Sequence, residues 1–527
     1  MPIANFRSMG QAGVVSDIAP WDLPENAISD GRNFRVSAGK LQASGGSELA
    51  SKLNDAGEEL GHIDQILREG GDGEWVVCGE RSIMSYYGNA FNSLYSGTDV
   101  QPIDWSTAKV GTAIFFNHPE LHPKYWDITA EQTCKDLPWS PGQTWDDAGW
   151  QCGAIASHKN FLFGLGMVED GPDGPVYYRD RVHWSHPVEP NGIPYTWEPA
   201  NDADKSSLAG YVTLGRGGPI VGAESMRDSF VIYSEDAISI LDYTGDALMW
   251  RRRTVSQNAG LIGRNALVEV RGQHFFMAFD DIMMFDGNTA VSLLHNRMRK
   301  KYASAIDTQN LKNAFAVHNK VFAELWFCFP EKGNEHANCA YVYNYRDNTW
   351  SIRDLSLEHR FRHGHFGRVI GNDAIWGDPG VEGSIETKWN EERSTWRLGA
   401  QQPFGGVMLG VSGPNVYNID TPTPDEDVDT FIERTHMPIA GHDICTSATR
   451  IYPLLEGSSE VQVSLGSHQS AGDGVRWAQP AVFNPITDRK LDIRTTGELH
   501  AYRIDGKARG NWNVTGFDLE FAPAGKR

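Results

Sequence analysis

The chain has 527 residues, of which 40% are hydrophobic and 22% charged, and a formal net charge of −21. That length is ample for several domains or one large repeat fold, and the composition is that of a globular protein. The acidity excludes a general affinity for nucleic acid, because phosphate binding rests on Lys and Arg displacing counterions, and no apolar run approaches the ~20 residues of a membrane-spanning helix.

Taken in chain order, Met1 to Gly10 carries no apolar signal core, as expected of a cytosol-made protein. Residues 1–60 read as an extended opening segment, rich in turns at Pro20-Trp21-Asp22-Leu23-Pro24, Ser29-Asp30-Gly31 and Ala38-Gly39-Lys40. Asn33 to Val36 and Lys40 to Gln42 suit a hairpin, and Gly46 to Leu60 a short polar helix.

Residues 61–360 repeat one pattern of strand, tight polar turn, strand. The clearest copy runs from Ala266 to Gly287, with turns at Arg271-Gly272-Gln273 and Asp280-Asp281. Asp, Asn and Gly interrupt the apolar runs every few positions, which a helix could not tolerate and a meander of antiparallel strands requires. Further copies lie at Glu74 to Tyr95, Gly153 to Trp184, Pro219 to Leu241 and Asn313 to Ile352. Another starts at Thr112 to Phe116, before a Trp- and Pro-rich insertion at about 119–149. Ala290 to Tyr302 suggests a second helix.

The copies start roughly 45 to 50 residues apart, the spacing of β-propeller blades, and five to seven blades are expected. A set of β-sandwich domains is the competing reading. With 17 Trp, 17 Tyr, 23 Phe and 55 Gly, both are well supplied with pleated-sheet and turn residues.

Residues 361–430 read as an irregular insertion or a last blade. They contain His363-Gly364-His365, the spaced Trp376, Trp389 and Trp396, and a Pro/acidic linker from Thr421 to Asp427. Beyond it, Phe431 to Thr435, Arg450 to Leu455, Glu460 to Gly466, Lys490 to Thr495, His500 to Ile504 and Val514 to Phe521 alternate as strands. Residues 431–527 are therefore expected as a separate antiparallel sandwich.

The search for chemistry yields mostly absences. No phosphate-binding G-x-x-x-x-G-K-[ST], H-E-x-x-H or G-x-S-x-G motif occurs. Leu214-Gly215-Arg216-Gly217-Gly218 lacks the Lys of a phosphate cradle and reads as a loop. Arg251-Arg252-Arg253 is a compact basic run, expected on a solvated rim. His118 and His122 have an i, i+4 spacing seen in zinc sites, but Pro119 and Pro123 argue against the helix that would align them.

His363 and His365 share a strand face and read as rim residues for want of a third ligand. Asp242, Asp280 and Asp281 read as turn acids rather than a glycosidase pair. Ser470 to Trp477 reads as a hairpin turn. Cys78, Cys134, Cys152, Cys328, Cys339 and Cys445 form no C-x-x-C pair and read as reduced thiols. No catalytic, cofactor-binding or metal residue is assigned.

Three segments carry a resemblance. They are Asn5-Phe6-Arg7-Ser8-Met9-Gly10 with Trp21 to Pro24 and Ser29 to Arg35, then Val342-Tyr343-Asn344-Tyr345-Arg346-Asp347-Asn348-Thr349-Trp350-Ser351, then Trp512-Asn513-Val514-Thr515-Gly516-Phe517-Asp518-Leu519. Together they resemble the tail nozzle proteins of short-tailed bacteriophages, also described as packaged-DNA stabilisation or tail tubular proteins. The resemblance implies a structural, non-catalytic virion protein without cofactor. It implies a propeller-based subunit of a hexameric ring below the portal-adaptor complex, with the tail adaptor and fibres or spikes as partners. Double-stranded DNA would pass without specific contact during ejection. The acidic charge suits such passage, since an acidic lumen repels phosphate. Two other readings stand beside it. One is a propeller enzyme degrading polysaccharide, with Trp139, Trp145, Trp150, Trp184 and Trp197 stacking on sugars if exposed. The other is a propeller adaptor binding a cellular protein.

Overall fold

The computed structural model describes residues 2–50, 56–67, 73–87, 90–188, 192–201, 204–245, 249–368, 406–421, 426–441, 444–508 and 510–526. The turn at Gly88-Asn89, Trp376, Trp389, Trp396 and the linker residues Pro422 to Asp425 lie outside them.

Among the described residues, seven four-stranded antiparallel meanders form a β-propeller. Their innermost strands are Leu60–Leu67, Ser106–Val110, Trp150–His158, Ile220–Met226, Leu267–Val270, Phe315–Asn319 and His363–Arg368, in blades one to seven. Each inner strand packs on the next, and that of blade seven returns to blade one, so the ring closes. Blade seven takes only three strands from its own stretch of chain. Its outermost strand is Gly46–Leu49, paired to Asn415–Thr421. The ring is thus fastened by a strand that precedes blade one in the chain.

A blade presents two faces to neighbours, which buries its middle strands on both sides where the packing is complete. In blade six, Glu324–Phe329 and Cys339–Asn344 are buried throughout. Ile66, Val76 and Cys78 of blade one meet Ile114, Phe116 and Trp126 of blade two. Ile63, Trp75 and Val77 meet Leu409, Val411 and Val416 of blade seven. A phenylalanine at 0% exposure, such as Phe115, Phe163 or Phe327, contributes about 1.5–3 kcal/mol relative to exposure.

The remaining strands form a β-sandwich built from both chain ends. One sheet orders Thr495–Gly497, Ile444–Gly457, Trp512–Lys526, Lys40–Ala43 and Phe34–Ser37, with Ile3–Arg7 added on Trp512–Lys526. The other holds Asp30–Arg32, Asp429–Pro438, Leu499–Lys507 and Val461–His468, with the short strands Arg476–Trp477 and Ala481–Phe483 on the last. The extended opening segment, residues 1–60, therefore supplies strands to the sandwich and to blades seven and one.

One continuous core runs from blades four to six into the sandwich, joining Tyr341, Trp350 and Ile352 to Phe34, Val36, Ile432 and Phe517. At that junction Arg35 and Arg353 interleave with Glu324 and Asp420, all at most 6% exposed. Arg35 Nε donates to Glu324 at 2.7 Å, and Arg353 bonds Asp420 at 2.9 Å.

Three expectations need correction. Gly46–Leu49 is the closing strand rather than helix and Leu60 opens another strand, because Ser47 and Leu49 find ladder partners in Ile419 and Tyr417. The insertion at 119–149 contains the two outer strands of blade two, Lys124–Asp127 and Lys135–Asp136; Pro119 and Pro123 flank the turn that leads into them. In the suggested helix from Ala290 to Tyr302, Ala290–Ser292 completes blade five and helix starts only at Arg299. No helix among the described residues is long and apolar enough to cross a membrane.

Candidate functional site

Inner strands of a propeller turn alternate side chains toward the axis. Here those positions are polar on most blades: His62 and Asp64, Thr107 and Lys109, Glu224, Glu269, His318 and Lys320, then His365. They line an axial pocket of about 480 Å³ to which all seven blades contribute.

The strongest cluster sits at the seam where blade seven meets blade one. Asp64 accepts from Lys109 Nζ at 2.5 Å and from Thr107 Oγ1 at 2.7 Å. His365 Nε2 lies 3.4 Å from the same carboxylate. His62 Nε2 and Thr107 Oγ1 are 3.1 Å apart, and His363 Nδ1 accepts from the Ile63 N–H at 3.2 Å. The His62 and His363 rings stack at 4.2 Å.

Charge states follow from these contacts. Burial would raise the Asp64 carboxyl, but Lys109, His365 and His62 outweigh it and hold it well below the usual range. Burial holds His62 and His365 down to about 4 despite Asp64, and His363 well below its ordinary value. The imidazoles are therefore neutral at pH 7, which lets two of them stack.

Across the pocket, Glu224 opens onto the lumen yet is walled in by protein. That enclosure, with Glu269 nearby, pushes its carboxyl up to about 7. Arg264, just ahead of the inner strand of blade five, reaches the carbonyls of Asp104 at 2.7 Å, before blade two, and Gly153 at 3.0 Å, in blade three, neither of them its neighbouring blade.

His363 and His365 are thus axial residues, not rim residues. The partner that was missing, Asp64, comes from the opposite end of the propeller's chain and only ring closure brings it near. His62, Asp64, Lys109, Glu224 and Glu269 escaped the sequence reading. Their signal was a polar residue recurring on alternate positions of each meander's first strand.

The other candidates stay apart. His118 Nε2 donates to the Gln101 carbonyl at 2.9 Å, whereas His122 contacts Trp150 O and Asp146, each at 3.1 Å. Arg251, Arg252 and Arg253 are exposed on the outer strand of blade four. Asp242 pairs with Arg253, and Asp280 and Asp281 with Arg299. Ser470 to Trp477 is a turn ending in the two-residue strand Arg476–Trp477. All six cysteines are free thiols.

Trp139, Trp145, Trp184 and Trp197 are not exposed for sugar stacking: each is at most 7% exposed. Trp139 stacks on half-buried Trp150 and meets Trp145 edge-on, so the group fills the space beside blade three. Among the described residues, one trio, Glu358, His359 and Glu426, brings together atoms able to ligate a metal. Glu426 there already accepts from Ser356 Oγ at 2.6 Å and Leu357 N at 2.7 Å, which accounts for its position.

No family model matches the chain. No curated protein matches it in sequence. Among solved structures, it is similar to YCF48 bound to a D1 peptide, with TM-score 0.36 and 9% identity over 76% of this chain and 99% of that one. It is also similar to the computationally designed Ika8 protein, with TM-score 0.37 and 10% identity over 74% of this chain and 98% of that one.

Proposed function

We propose that the chain is a structural virion protein, a tail nozzle subunit of the kind found in short-tailed bacteriophages. Six copies form a ring below the portal-adaptor complex that lines and closes the DNA exit channel and supports fibres or spikes. The observation that carries this reading is where the three segments of the family resemblance meet. Phe6 of the first packs on Phe517 of the third, ring centroids 4.8 Å apart, within paired strands. Asn33 of the first bonds Asp354, in the strand that begins in the second segment, through Asn33 Nδ2 at 2.9 Å and the Asp354 N–H at 2.8 Å. The Ala38 N–H, just past the first segment, donates to Asp347 of the second at 3.0 Å. Segments hundreds of residues apart thus build one propeller-sandwich junction, as expected of a shared architecture rather than of scattered turn signatures.

The axial pocket is far too small for duplex DNA, whose major groove alone is about 12 Å wide. The DNA channel is therefore the lumen between subunits, and the acidic charge lets DNA slide through it. Native mass spectrometry with purified tail adaptor rings tests the reading: six copies added per ring support it, and an unloaded adaptor refutes it.

One observation favours a second reading, a polysaccharide-degrading enzyme. Glu224, held near pH 7 beside Glu269, is suited to act as a general acid. Turnover of a polysaccharide that Glu224→Gln abolishes would establish it. The buried tryptophans remove the sugar-stacking surface first expected to support it.

A further inference from the structure

The sandwich interior contains a charge with almost nothing to hold it. In the sheet of Asp429–Pro438, Leu499–Lys507 and Val461–His468, Ile432, Ile504 and Val463 form one cross-strand row facing the core. The next row on the same face is Arg434, Tyr502 and Leu465. Glu433, one residue earlier, points to the other face and pairs with Arg503 at 3.2 Å. Arg434 therefore occupies a core position, and it is 2% exposed.

Its guanidinium stays charged, because arginine does not deprotonate in proteins. Nη2 donates to the Leu23 carbonyl at 2.9 Å. Nε and Nη1 are buried and have no acceptor among the described residues, and no carboxylate lies within ion-pair distance. The Tyr502 hydroxyl, on the residue directly across the strands, is likewise buried without a partner. So is Nδ1 of His500, two residues before Tyr502, whose Nε2 bonds Thr446 Oγ1 at 2.7 Å. Unmet donors thus lie on two directly paired residues, Arg434 and Tyr502, and a buried guanidinium without a counter-charge is costly.

We propose that Arg434 and Tyr502 form a binding site for a small monovalent anion inside the sandwich. A halide-sized ion accepts from Nε, Nη1 and the phenol together, and neutralises the buried charge. The site is independent of the ring reading and concerns the stability of the subunit.

Bromide anomalous diffraction from crystals grown in bromide tests it directly, alongside melting in chloride against gluconate at equal ionic strength. The expected results are a bromide peak in contact with Arg434 and Tyr502, and a melting temperature about 2–4 °C higher in chloride. Arg434→Met should fold and lose the chloride effect. Tyr502→Phe should raise the chloride concentration for half the effect about tenfold. Water alone beside Arg434 in the bromide crystals, or an equal chloride effect in Arg434→Met, would overturn the proposal. The bromide map decides the matter even if neither variant folds.

Discussion

At the scale of residues, the four charges at the propeller-sandwich junction compensate one another. Burial by itself would raise the Glu324 carboxyl, but Arg35 and Arg353 outweigh it and hold it below the ordinary value. Asp420 completes the balance from blade seven and also accepts from Asn319 Nδ2 at 3.0 Å. Replacing one member strands a buried guanidinium, so Glu324→Ala should cost about 3–5 kcal/mol in denaturant unfolding. A depressed carboxyl stabilises the fold above its unfolded value, and that stability is lost as pH falls through the folded value. Unfolding in acid should therefore steepen below about pH 4, and Glu324→Gln should flatten that limb. At Glu224 in the axial pocket the shift has the opposite sign. Glu224 should titrate near pH 7 by carbon NMR, and Glu269→Gln should lower its midpoint. A midpoint that ignores Glu269 would show that the pocket wall alone raises it.

At the scale of elements, the propeller depends on one seam. Gly46–Leu49 fastens blade seven, and Gly45 before it leaves no room for a side chain: a Cβ there would lie 2.6 Å from the Asp420 backbone. Gly45→Val should displace the closing strand and cost about 1–3 kcal/mol, read as a lower melting temperature with unchanged sandwich contacts. On the inner side the same seam is bound by His62, His363 and His365, all held neutral. Depressed imidazoles stabilise the fold above about pH 6.5, and that contribution is lost as pH falls toward 4. Hydrogen exchange should therefore rise in Leu60–Leu67 and His363–Arg368 over this window before other inner strands respond. Uniform exchange across all seven blades would contradict the seam.

The meanders were legible because each is local: turn residues and apolar runs fall within about forty residues, as in the copy from Ala266 to Gly287. The closing strand was not, since Ser47 and Glu48 look polar and unpaired until Ile419 and Asn418 arrive from the far end of the propeller. The His365–Asp64 contact was hidden for the same reason. Most strands of the C-terminal sandwich were visible by alternation, though the one expected over Lys490 to Thr495 is reduced to an isolated bridge at Leu491 before Thr495–Gly497; the share of the opening segment lay in the pairing of Phe6 with Phe517, which no local pattern encodes.

At the scale of the whole molecule, the propeller and sandwich form a block with an acidic balance and a small axial pocket. A net charge of −21 predicts no measurable retention on duplex DNA at physiological salt, weaker than the about 10⁻⁴–10⁻⁶ M of ordinary non-specific binders. Fluorescence anisotropy with a labelled duplex checks this, and tight salt-sensitive binding would contradict a channel through which DNA slides. The most direct test of the central claim is negative-stain electron microscopy of the purified protein, alone and mixed with tail adaptor rings. The account predicts sixfold rings with an open lumen, or a sixfold layer added beneath the adaptor. Monodisperse monomers that never join the adaptor would contradict it.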